Sequence, residues 1–169
     1  IHQALFRNLF WIDTKNQLQN DLSQKCQWPS PKKMRCELKR NLKWSNGEPL
    51  TAKNFLETYE FILNPKSSFL RKEMLFSILN AREYSAGKIT DFSKVGIRSP
   101  SDLKIEFELA DLDPEFEYKL ALPMTAPVNQ KSFNISSPII SSGPYRVQSY
   151  DSKSLEIKME SNPNFYIKS

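Results

Sequence analysis

Few residues in this chain have chemistry to offer. There is one histidine, His2, in 169 residues, and the only cysteines are Cys26 and Cys36. A structural zinc site wants four nitrogen or sulfur ligands, and none accompanies the cysteine pair, so no metal is expected. A nucleophile needs a base within hydrogen-bond reach. No Gly-x-Ser-x-Gly elbow occurs and His2 is the sole imidazole, which leaves hydrolysis without an owner. Glu106 and Glu108 alternate with apolar residues, as on the solvent face of a strand, and converge on nothing. Lys32, Lys33, Arg35, Lys39, Arg40 and Lys43 form the densest basic cluster. They interleave with Met34, Cys36 and Leu38 as the wet side of one strand. A single-stranded nucleic-acid platform would join aromatic and basic groups on one sheet face, and this stretch does not. No enzyme activity, cofactor or nucleic-acid partner is expected.

The totals agree with a quiet, folded unit. A chain of this length fits one domain or a piece of a larger protein. Only 39% of it is hydrophobic, but 11 Phe, 6 Tyr and 3 Trp supply a core. With 4 Gly against 11 Pro, a glycine-rich phosphate loop is disfavoured and fixed turns are favoured. The net charge of +5 permits attraction to anionic surfaces without demanding it. No apolar run reaches the roughly 18 residues of a membrane span. The chain opens at Ile1 with no visible signal segment, so a processed product or fragment is expected.

The elements follow from periodicity and turn chemistry. Residues 2–12 are densely apolar and fit helix or strand equally. Asp13-Thr14-Lys15-Asn16 is a turn. Pro29-Ser30-Pro31 breaks the chain before a strand in which Met34, Cys36 and Leu38 alternate with Arg35, Glu37 and Lys39. A hairpin centred on residue 31 would set Cys26 opposite Cys36 and Trp28 opposite Met34. The cysteines are then either two reduced core residues or a cross-strand disulfide. Trp44-Ser45-Asn46-Gly47 closes a strand in a turn, and Thr51 is placed to cap a helix over about 51–63, with Phe55, Tyr59, Ile62 and Leu63 on one face. A second helical face would carry Leu70, Met74, Leu75, Ile78 and Leu79. A strand with Leu103, Ile105, Phe107 and Leu109 follows the turn Ser99-Pro100-Ser101-Asp102. Asp113-Pro114 is placed to start a short helix through Phe116 and Leu120. Residues 129–142 form a loop, and a hairpin around Asp151-Ser152-Lys153 ends the chain. Antiparallel hairpins mixed with helices imply an α+β layered fold.

Taken in order, these motifs resemble the family 5 extracellular solute-binding proteins, the peptide receptors of ABC importers. Lys43-Trp44-Ser45-Asn46-Gly47-Glu48-Pro49-Leu50-Thr51-Ala52-Lys53-Asn54-Phe55 nearly reproduces that family's most specific segment. Leu5-Phe6-Arg7-Asn8-Leu9 is similar to its Leu-Phe/Tyr-Glu-Gly-Leu. Met34-Arg35-Cys36-Glu37-Leu38-Lys39 is similar to its Tyr-Thr-Phe-His-Leu-Arg strand. Gly143-Pro144-Tyr145 and Asn162-Pro163-Asn164-Phe165-Tyr166 match its later pair.

The resemblance implies part of a bilobate, type II periplasmic-binding-protein fold that closes on a peptide or small solute, without catalysis or cofactor. It implies ABC permease subunits as partners, and a periplasmic or membrane-anchored extracellular location. Residues 1–43 and about 140–169 would belong to the first lobe and 44–139 to a small accessory domain, with the C-terminal lobe absent. The alternative is a sensory or interaction module on the same fold. Ligand contacts are expected from Arg7 and Asn8, which stand where the family has Glu-Gly, and from Phe76. Arg7 there replaces an anion by a cation, which changes the ligand charge that is welcome. Cys26 and Cys36 stand where relatives carry Trp and Phe, which favours the disulfide in an oxidising compartment. Asn54 replaces a usual Asp, and Trp44 and Phe55 are expected as core anchors.

Overall fold

The computed structural model describes residues 2–133, 139–151 and 153–167. The ambiguous N-terminal stretch resolves into both alternatives, a one-turn helix α1 (His2–Leu5) and a strand β1 (Phe10–Ile12). The latter pairs with β2 (Leu18–Asn20) across the Asp13 turn. The centre is a four-stranded antiparallel sheet in the order β3 (Ser23–Ser30), β4 (Lys33–Leu38), β6 (Lys104–Glu108), β5 (Ile97–Ser101). Met34, Cys36, Leu38, Ile105 and Phe107 point inward and are buried, as alternation dictates.

The outward face explains the charges. Register places Lys33 opposite Glu108, Arg35 opposite Glu106 and Glu37 opposite Lys104. Arg35 Nε lies 2.5 Å from Glu106 Oε1, and Lys33 Nζ lies 3.5 Å from Glu108 Oε1. Two of the six bases, Lys33 and Arg35, therefore pair with the two carboxylates across two strands.

Prolines sit where this sheet can bear them. Pro29 was expected to break the chain and Pro100 to lie in a turn, but each lies inside a strand, in β3 and in β5. Both are edge strands, and both carry a register shift at the proline, where a missing N–H costs no ladder bond. The shift in β3 also revises the hairpin. Cys26 does pair with Cys36, but the register slips after Gln27 and Trp28 does not oppose Met34. Trp28 instead donates its Nε1–H to Glu117 at 2.6 Å. The cysteines are joined as a disulfide, with Cα atoms 4.1 Å apart.

Helix α2 (Ala52–Leu63) covers the inner face, burying Phe55, Tyr59, Ile62 and Leu63. It starts after Thr51, whose N–H donates to Asn54 Oδ1 at 2.9 Å. The same Oδ1 lies 3.4 Å from the indole nitrogen of buried Trp44, so Asn54 joins the helix start to the preceding turn. Asn64-Pro65 ends the helix.

The second helix expected after it is not continuous. Arg71 (φ 64°) and Asn80 (φ 59°) adopt the left-handed conformation and divide the stretch into a 3₁₀ turn, Lys72–Leu75, and helix α3 (Ala81–Ser85). Leu75 and Ile78 still reach the core, but Leu70 is 83% exposed.

Helix α4 (Phe116–Lys119) begins later than the Asp113-Pro114 pair suggested. Its Phe116 stacks edge-on against Phe107 at 5.3 Å, and Phe107 does so against Tyr59 at 5.8 Å, an aromatic column through the core. The last hairpin is β7 (Tyr145–Asp151) with β8 (Glu156–Ser161). Ser152 and residues 134–138, part of the expected loop, lie outside the described residues. The expected boundary at 43/44 passes between β4 and β6, which are neighbours in one sheet over one continuous core.

Candidate functional site

Four distant stretches meet at the end of α1. Leu5 O accepts the N–H groups of Ser142 and Gly143 at 3.0 and 2.8 Å, and Arg7 N–H donates to Ser142 Oγ at 3.0 Å. A Cβ on Gly143 would lie 2.4 Å from Ala4 O, so only glycine fits this close approach. Asn162 Nδ2 donates to Gly143 O at 2.8 Å, and Asn164 Nδ2 to Ser45 O at 3.2 Å. Ser45 N–H and Ser141 O bond at 2.8 Å, with Ser141 N–H returning to Ser45 Oγ at 3.0 Å. The Trp44 turn, Gly143-Pro144 and Asn162-Pro163-Asn164 are thus parts of one junction around α1.

Beside that junction Arg7 and Asn8 line a small cavity of about 30 Å³ with Asp21, Phe10 and Trp11. Asn8 is buried; its Nδ2 donates to the carbonyls of Ala121 and Leu122 at 2.9 and 3.1 Å. These two acceptors fix the amide orientation and leave its Oδ1 buried with no partner. Arg7 Nε lies 2.8 Å from the carboxylate of buried Asp21, and its guanidinium carbon 5.8 Å from the Trp11 ring centroid. Tyr166 O–H also donates to Asp21, and the Lys39 ammonium sits 4.4 Å from the Tyr166 ring centroid.

Burial sets the electrostatics here. It holds the Lys39 ammonium below its usual range, against the pull of Asp21. Burial, with Asp21 beside it, pushes the Tyr166 phenol up, so it stays protonated as a donor. His2 lines the same cavity, and burial keeps its imidazole below 6.5 despite a hydrogen bond to the Pro123 backbone. One carboxylate faces two cations, so the cluster carries a surplus positive charge.

The expected ligand residues therefore separate. Arg7 and Asn8 are brought together, with Arg7 already engaged by Asp21. Phe76 is elsewhere, after the 3₁₀ turn, partly buried against the core with the Arg82 guanidinium 5.4 Å from its ring. Asp21, Lys39 and Tyr166 were not anticipated as a group. Only the terminal Asn-Pro-Asn-Phe-Tyr motif, read as a turn, hinted that Tyr166 mattered. Among the described residues no group of three or more His, Cys, Asp or Glu could hold a metal ion, and no helix is long and apolar enough to cross a membrane.

Comparison with known proteins gives a consistent result. Residues 17–169 match the family described as bacterial extracellular solute-binding proteins, family 5 Middle. A dipeptide-binding protein of Lactococcus lactis is 29% identical over 143 residues, covering 78% of this chain and 26% of that relative. A probable deoxycholate-binding periplasmic protein of Escherichia coli is 32% identical over 127 residues, covering 73% of this chain and 24% of the relative. Among solved structures, OppA of Burkholderia pseudomallei superposes with a TM-score of 0.86 at 24% identity, covering 97% of this chain and 33% of its own. A periplasmic oligopeptide-binding protein of Borrelia burgdorferi gives 0.87 at 23%, covering 97% and 34%. The chain thus spans about a quarter of the curated relatives and a third of the solved ones. Its fold is a portion of that bilobate architecture, and the chain belongs to the bacterial extracellular solute-binding proteins of family 5.

Proposed function

We propose that this chain is the N-terminal part of the substrate-binding component of an ABC importer, which binds a peptide or related solute and performs no chemistry on it. The observation that carries this reading is the small polar cavity at Arg7 and Asn8. There the guanidinium of Arg7, whose backbone N–H is anchored on Ser142, lies beside Asn8, whose amide is anchored on the Ala121 and Leu122 carbonyls. Arg7 keeps guanidinium N–H groups beyond the Nε that faces Asp21, donors of the kind a peptide carbonyl takes. Relatives named for dipeptides and oligopeptides favour peptides as the solute, and the deoxycholate-binding relative marks the other class to be tested.

In this reading Arg7 and Asn8 contact ligand directly, with Phe76 a more distant contact. Residues 1–43 and about 140–169 serve the first lobe and 44–139 the accessory domain, held as one body through β4 and β6. The partners are ABC permease subunits, met at the periplasmic or outer face of the membrane. Mass spectrometry of ligand co-purifying with the whole protein tests it. Short peptides are the expected finding; a bile acid, a sugar or a metal chelate in their place would overturn the peptide assignment.

A further inference from the structure

β3 brings no fully buried apolar residue to the central sheet, whereas β4, β5 and β6 each bring at least one. Ser23 is its one fully buried residue; Cys26 is partly buried, and Lys25, Gln27 and Trp28 are exposed. Its pairing with β4 is also broken twice. Slips between Ser23 and Lys25 and between Gln27 and Ser30 leave three consecutive pairs in register: Lys25 with Glu37, Cys26 with Cys36, and Gln27 with Arg35. The disulfide stands on the middle pair. The strand's other side-chain ties lie outside those slips. Ser23 Oγ donates to Leu9 O at 2.7 Å, and Trp28 meets Phe116 edge-on at 6.2 Å while bonding Glu117 at an exposed position.

We propose that the Cys26–Cys36 bond is a redox-operated latch, whose reduction by a dithiol releases residues 24–30 from the sheet while β4, β6 and β5 stay paired. While the bond stands, a fluctuation that opens the ladder keeps the two strands within reach, and they reclose. With two thiols in its place, three pairs between two slips must hold the strand. Cys26 is the sulfur open to attack, since Cys36 is 0% exposed. A thiolate of the dithiol bonds to Cys26 Sγ, the S–S bond breaks, and Cys36 leaves as a thiolate that takes up a proton. The second thiol of the reagent then displaces Cys26, which also ends protonated, and the reagent is left as a cyclic disulfide. Two electrons and two protons have passed to the cystine. Release turns β4, which has no proline, into the border of the sheet. The latch closes where disulfides persist and stays open in a reducing cytosol.

The test is hydrogen exchange read by mass spectrometry on the folded whole protein, with and without dithiothreitol, comparing residues 24–30 with residues 104–108 of β6. Reduction is expected to speed exchange in 24–30 by about tenfold or more beyond any change in 104–108. It should also open the chain to trypsin after Lys25. Equal acceleration of both segments means that the bond constrains only the unfolded chain, and the latch fails. Unchanged exchange in 24–30 after reduction shows that the backbone ladder alone holds β3 and overturns the proposal, as does a bond that dithiothreitol cannot reduce without denaturant. Cys26→Val with Cys36→Val keeps an apolar pair without the bond, and its exchange is expected to be the same with and without dithiothreitol. A response in that variant equal to the wild type's would place the reagent's action elsewhere and sink the latch.

Discussion

Asp113 shows how much one side chain can be asked to hold. Its carboxylate accepts from Ser77 O–H and Lys119 Nζ at 2.6 Å each and from Glu115 N–H at 3.2 Å. Burial pushes the carboxyl upward, but the Lys119 and Ser77 hydrogen bonds outweigh it and hold the group below 3.8. A depressed folded-state value means the unfolded chain binds the proton first as pH falls. The stabilisation is therefore complete above about pH 4 and is lost as pH drops through the lower folded value. Asp113→Asn is expected to cost about 1–3 kcal/mol at neutral pH. The gap between variant and wild type should close in acid, read by urea unfolding at a series of pH values. A gap that widens in acid would contradict this assignment. From sequence, Asp113 was visible only as a cap before proline. Its bond to Ser77 joins residues far apart in the chain, which no local pattern encodes.

At the scale of elements, period-two alternation was the dependable signal. Met34, Cys36 and Leu38 against Arg35 and Glu37 gave β4 its faces correctly, and Phe55, Tyr59, Ile62 and Leu63 gave α2 its buried side. Lys39, expected on the same outer face of β4, falls past the strand's end and is half-buried. The failures have a common cause. The helix expected through Leu70 and Leu79 has the right apolar spacing, but Arg71 and Asn80 take left-handed backbone that spacing does not report. The Trp28 partner was lost to a register slip, and the Asp21–Tyr166 contact to sequence distance. The Cys26–Cys36 bond belongs to this scale, since it ties β3 to β4 just before the slip. The chain-entropy account values so short a loop at about 3 kcal/mol. Reduction, or Cys26→Ser with Cys36→Ser, should lower stability by up to that amount, measured as the shift in guanidinium midpoint. Identical midpoints with and without reductant would show that the bond constrains nothing the hairpin had not already fixed.

For the whole molecule, incompleteness is itself testable. The chain covers only a third of the solved relatives' length, and the polar cavity at Arg7 and Asn8 has room for one group. Taken alone it should show no measurable affinity for tripeptides by calorimetry, whereas the whole protein should bind them. Tight binding by the isolated chain would place the complete site within these residues. The central sheet, meanwhile, is protected along both borders. Pro29 in β3 and Pro100 in β5 each remove a donor from an outermost strand and bend its register. An extended segment seeking to zip onto the sheet, whether from a ligand, a neighbouring copy or a half-folded chain, meets an interrupted row of N–H groups on either side. Growth of that sheet into a larger aggregate is thereby discouraged. Among the described residues, the short β1–β2 and β7–β8 ribbons carry no proline within their strands, so strand-by-strand addition meets less obstruction there.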